Sequence, residues 1–113
     1  MEQVSIPLGL RTELAETFGG LGDPSFGLSK TVFLREDCEL TVSATLDVIL
    51  ANGHSEKWIL SLVFPEFDAA AAGQEATAEA HAWFALMVQT NIIEWWHTRE
   101  TAPNMPTAPQ RIG

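Results

Sequence analysis

The residues of this 113-residue chain that could do chemistry are three histidines, one cysteine and fifteen carboxylates. Their spacing gives no catalytic constellation. His54 follows an Asn-Gly pair and reads as a solvated loop residue. His81 and His97 fall on one helical segment about four turns apart, too far to share a metal ion. No His-Glu-x-x-His or Cys-x-x-Cys spacing occurs. Glu94 and His97 lie three apart and could pair on a helix surface, a mild contact and no sign of acid–base catalysis. Cys38 is surrounded by Glu36, Asp37 and Glu39, anionic neighbours that suit a nucleophile poorly. The glycines at 19, 20 and 22 follow a helical pattern instead of a strand, which is the wrong order for a phosphate cradle. A protein without enzymatic activity, metal or cofactor is expected.

Charge is more informative. Six Lys and Arg stand against fifteen Asp and Glu, a formal net charge of −9. Such a chain repels phosphate backbones and anionic membrane surfaces. No Lys or Arg occurs between Lys57 and Arg99, a stretch that holds Glu66, Asp68, Glu75, Glu79 and Glu94. Glu66, Asp68, Glu75 and Glu79 are the expected acidic surface, serving solubility alone or a basic partner. The longest apolar run, residues 82–96, is interrupted by polar residues and is shorter than the ~20 a bilayer span requires. The start of the chain lacks a secretory pattern. A lone cysteine fits a reducing compartment, so a cytoplasmic location is expected.

The elements that would position these groups suggest one α+β domain over residues 1–100 and a flexible, proline-containing tail over 101–113. Leu10, Leu14 and Phe18 predict a short helix over residues 10–18, stopped by the following glycines. Residues 29–35 predict a strand, with Glu36 and Asp37 at a tight connection. Residues 39–50 alternate most clearly: Leu40, Val42, Ala44, Leu46, Val48 and Leu50 on one side, Glu39, Thr41, Ser43, Thr45 and Asp47 on the other. A period of two describes a strand with one buried and one wet face. Asn52-Gly53 marks a turn, and residues 57–64 return as a third strand that Pro65 ends. Residues 68–99 predict a long helix, weakened near Gly73. The fold class is therefore α+β, a three-stranded antiparallel meander under a long C-terminal helix, in the order α-β-β-β-α. In the tail, Pro106 to Arg111 fits a PxxPxR spacing, a form that can dock in aromatic grooves.

The long helix carries two apolar stripes. Phe84, Val88, Ile92 and Trp95 share one side; Trp83, Leu86, Thr90 and Ile93, with Trp96 or His97, share another. A helix apolar on most sides is covered on most sides, and one small sheet covers only one. The second cover is either the rest of the monomer or another chain. Large aromatics dominate binding interfaces, so Trp83, Met87, Ile92, Trp95 and Trp96 are the expected partner-binding residues, with a homodimer or another protein as partner.

The element order is that of the double-stranded RNA-binding domain. That family has a lysine-rich start to its second helix, whereas residues 68–75 here are acidic, so direct nucleic-acid binding is not expected. Residues 10–91 resemble the front part of class I type III secretion chaperones. The likeness lies in the leading helix with Leu14 and Phe18, the segment from Asp37 to Val42, the long alternating strand, and the helix stretch from Leu86 to Asn91. It implies a small acidic cytoplasmic homodimer that binds an extended segment of a secreted effector and catalyses nothing. The family continues with two strands and a helix where this chain has its proline tail. The functional expectation is a protein-binding module of chaperone, adaptor or inhibitor type. The alternative is an acidic nucleic-acid mimic, such as a phage inhibitor of a DNA- or RNA-handling enzyme.

Overall fold

The alternation that begins at Glu39 becomes the middle strand of a five-stranded antiparallel sheet in the computed structural model, which describes residues 2–19, 24–99 and 107–113. The strands β1 (Glu2–Val4), β2 (Ser25–Glu36), β3 (Glu39–Ile49), β4 (Ser55–Pro65) and β5 (Thr107–Arg111) lie side by side in chain order. Along β3, Leu40, Val42, Ala44, Leu46 and Val48 are buried, while Thr41, Ser43, Thr45 and Asp47 face the other way. The register carries this pattern sideways. Val42 stands opposite Phe33 of β2 and Leu62 of β4, and Leu46 opposite Leu28 and Trp58. One face of the sheet is thus apolar across its three long strands.

The turns follow from local backbone chemistry. Glu36 pairs with Glu39, so Asp37 and Cys38 form a two-residue hairpin loop. Asp37 sits at φ 51°, a left-handed conformation that Asp tolerates better than most side chains. At the next turn Gly53 takes φ 86°, and the Asn52 Oδ1 accepts a bond from the His54 N–H at 3.0 Å.

Three helices complete the fold: α1 (Leu8–Ala15), α2 (Glu66–Ala69) and α3 (Ala78–Thr98). Leu10 and Leu14 of α1 are buried, and α1 packs on α3. Thr77 caps α3, its Oγ1 accepting from the Ala80 N–H at 3.1 Å. The inner side of α3 meets the apolar sheet face. Phe84 lies edge-on to Phe33 and tilted against Phe64, at ring separations of 6.0 and 4.9 Å.

Several expectations are corrected here. The sheet has five strands, not three. β1 is too short to show a period, and β5 contains Pro109, which only an edge strand tolerates. Thr107–Arg111 is therefore part of the sheet and not of a flexible tail; residues 101–106 lie outside the described residues. The first helix covers Leu8–Ala15, not 10–18, and Glu16 is already extended. Phe18 leaves the helix to bridge to Phe26, on which its ring stacks at 5.4 Å. The glycine stop at 20 and 22 falls outside the described residues. The single helix over 68–99 is three pieces: α2, a 3-10 turn at Ala70–Ala72, and α3. Gly73 is extended, at φ −76° and ψ 161°, and breaks the run.

Candidate functional site

A helix 21 residues long lies along the apolar face of the sheet, and its two sides have different fates. On the inner side Phe84, Ala85, Val88, Ile92, Trp95 and Trp96 are buried. Trp95 and Trp96 point ~100° apart, because one turn holds ~3.6 residues. Each finds its own cover inside the chain. Trp95 meets the Trp58 ring of β4 edge-on at 4.9 Å, and Trp96 meets Phe26 of β2 at 5.9 Å. The Arg99 guanidinium lies 3.6 Å from the Trp96 ring centre, a cation–π lid, and donates to the Trp96 carbonyl. Ile92, Trp95 and Trp96 are thus core residues, which corrects their reading as partner-binding groups. Sheet strands on both sides of the helix axis, not a second chain, cover the wide apolar arc.

The outer side keeps the other part of the expected site. Trp83 is 48% exposed and Leu86 60% exposed, with Met87 half-buried beside them. Glu79, Trp83, Leu86 or Met87, Thr90 and Glu94 follow at spacings of three and four, which places them along one stripe. Glu79 and Glu94 are exposed. The stripe is an apolar centre with a carboxylate at each end. Leu86 belongs to it although it was not among the expected site residues; its place in the second apolar stripe was the signal.

The four residues of the expected acidic surface do not form one row. Glu66 and Asp68 sit on α2, Asp68 half-buried, and Glu75 lies in the connection to α3. Only Glu79 belongs to the outer stripe. No group of His, Cys, Asp or Glu suited to a metal ion occurs among the described residues. His81 has a structural role that its sequence position does not disclose. It is buried, and its Nε2–H donates to the Gly73 carbonyl at 2.9 Å, which ties the start of α3 to the break before it. Cys38 is exposed and free in the β2–β3 hairpin. On the open sheet face the Thr41, Ser43 and Thr45 row lies between Val32, Leu34, Ile59 and Val63 on the neighbouring strands, with an exposed Lys57–Asp47 pair at 3.6 Å.

No protein-family model matches this chain, and neither a curated protein nor a solved structure matches it. Among the described residues no helix is long and apolar enough to cross a membrane.

Proposed function

We propose that this protein is a non-enzymatic binding module of chaperone, adaptor or inhibitor type whose contact is the outer stripe of α3. One observation carries the reading: Trp83 and Leu86 stay about half exposed on a helix whose other large aromatics are all buried. Exposed indoles at the centre of an apolar patch are the usual anchors of protein interfaces. The carboxylates of Glu79 and Glu94 at the two ends favour a partner segment with apolar residues between Lys or Arg. A second copy of the chain would bring like-charged ends together in several of its possible alignments, so a basic partner fits better. The exposed thiol of Cys38 suits a cytoplasmic setting.

The test uses the full chain and a synthetic amphipathic peptide of leucine and lysine, with binding followed by titration calorimetry at low and high salt. Binding that is lost in Trp83→Ser, while the thermal midpoint stays the same, is the expected result. Equal binding by both proteins removes α3 from the contact. Binding that survives the substitution but disappears steeply with salt favours the nucleic-acid mimic instead. Light scattering without peptide separates the remaining occupant: a dimer that Trp83→Ser dissociates makes the stripe a homodimer interface.

A further inference from the structure

The β2 side of the sheet holds a second feature, of opposite charge. β2 has 12 residues and β1 only 3. β1 covers β2 only at Phe33, Leu34 and Arg35. At the other end Phe18 bridges Phe26, exchanging two backbone hydrogen bonds of 2.7 and 3.0 Å. Between them, residues 27–32 have no strand on their outer side among the described residues. The Phe26 backbone groups point outward, and this orientation repeats at every second residue of a strand. Leu28 therefore offers its N–H and C=O at an open edge. A bulge follows, where the pairing moves from Ser29 opposite Thr45 to Val32 opposite Ser43 and Lys30 takes φ 52°. Bulges re-aim side chains at strand edges.

A groove runs along this edge. Its inner part, a notch of about 100 Å³, is lined by Ile6, Leu14 and Leu28, with Arg11 of α1 and Lys30 and Thr31 of β2 at its sides. It opens outward past Arg11, Thr31 and Val32 towards the end of β1. Arg11 and Lys30, which line this groove, are two of the chain's six cations. Both are exposed, and neither makes an ion pair among the described residues. Of the other four, Arg35 stands opposite Glu2 where β1 covers β2, and three are engaged: Lys57 with Asp47, Arg111 with Glu56, and Arg99 on Trp96. In a chain of net charge −9, two unpaired cations beside an open stretch of strand edge point to an acidic ligand.

We propose that this groove binds an extended, acidic segment of a partner protein. The segment's backbone pairs with the Leu28 edge, an aliphatic side chain enters the notch over Ile6 and Leu14, and carboxylates meet Arg11 and Lys30. A nucleic-acid strand fits less well. The notch and its outer part contain no aromatic side chain on which a base could stack, and the rest of the surface repels phosphate.

The experiment uses the isotope-labelled full chain and an end-blocked peptide of alternating valine and glutamate, with amide shifts mapped by NMR and affinity by fluorescence anisotropy. Shifts centred on Leu28, Ser29 and Thr31 are expected. The double variant Arg11→Gln, Lys30→Gly should bind on the order of tenfold more weakly, as the loss of two rim charges implies. Glycine suits the φ of residue 30, so this variant keeps its fold. Trp83→Ser should bind the glutamate peptide as the parent does, which separates this groove from the α3 stripe. No binding, shifts confined to other strands, equal binding of a valine–lysine peptide, an unchanged affinity in the double variant, or tighter binding of oligouridine at the same edge would each overturn the proposal.

Discussion

Near its start, α3 presents Trp83 to solvent at 48% exposure; near its end it buries Trp95 and Trp96 at 2% and 6%. The residue type and the helix are the same, so the difference comes from what the neighbouring elements bring to each end. At the C-terminal end β4 supplies Trp58, β2 supplies Phe26, and Arg99 folds over the outer indole. An arc much wider than one stripe is covered there. At the N-terminal end the inner position belongs to Phe84, which already meets Phe33 and Phe64. Trp83 has turned ~100° away from it, beyond the reach of the sheet. Aromatic density on a helix therefore measures neither core nor interface. The deciding quantity is the angular width that the surrounding strands can cover at each level.

The largest effect should come from the covered end. Trp95→Ala removes a buried indole and should cost about 3–5 kcal/mol of stability in urea unfolding. The Trp95 Nε1–H has no hydrogen-bond partner among the described residues, so Trp95→Phe forfeits ring volume but no polar contact and should cost clearly less than the alanine variant. Equal losses would mean that the indole nitrogen contributes a bond the fold does not show. A smaller effect sharpens the contrast from the exposed end. Thr77→Ala deletes the α3 cap and should cost about 1 kcal/mol. Amide exchange should then quicken in the first turn around Ala80, while the ring contacts of Trp95 and Trp96 stay protected. Uniform loosening along α3 would show that the two ends unfold as one unit and blunt the comparison.

The same angular question decides what the amino-acid order disclosed. The period of two over β3 was legible because its inward and outward residues differ at every step, and β4 repeats the pattern opposite it. The split of the long helix was legible only as a weakness at Gly73, since the alanines 69–72 before it suit a helix as well as a 3-10 turn and Gln74 and Glu75 after it are good helix formers. β1 and β5 were not legible, because three residues and a proline-bearing segment form strands only where a neighbour's free edge receives them. In the candidate site, the two apolar stripes of α3 were correct as geometry. That Trp95 and Trp96 are core was not legible there, because their cover comes from Phe26 and Trp58, which are distant in the chain. Arg11 and Lys30 likewise give no local signal; only the packing of α1 beside β2 brings them to one groove.

The smallest effect on stability is the most telling for the comparison. Trp83→Ser should change unfolding free energy by no more than about 0.5 kcal/mol, because a half-exposed side chain leaves little cavity behind. Its optical effect should be large. Trp95 and Trp96 are enclosed and Trp58 is half-buried against Trp95, so Trp83 should supply most of the quencher-accessible fluorescence. Glu79 and Glu94 lie on the same stripe, so cationic caesium should quench this component more effectively than anionic iodide, and added salt should narrow the gap. In Trp83→Ser the accessible component and its preference for caesium should both disappear. If the variant instead loses several kcal/mol, or if caesium and iodide quench the parent alike, Trp83 is covered by the same chain and the two ends of α3 do not differ in kind.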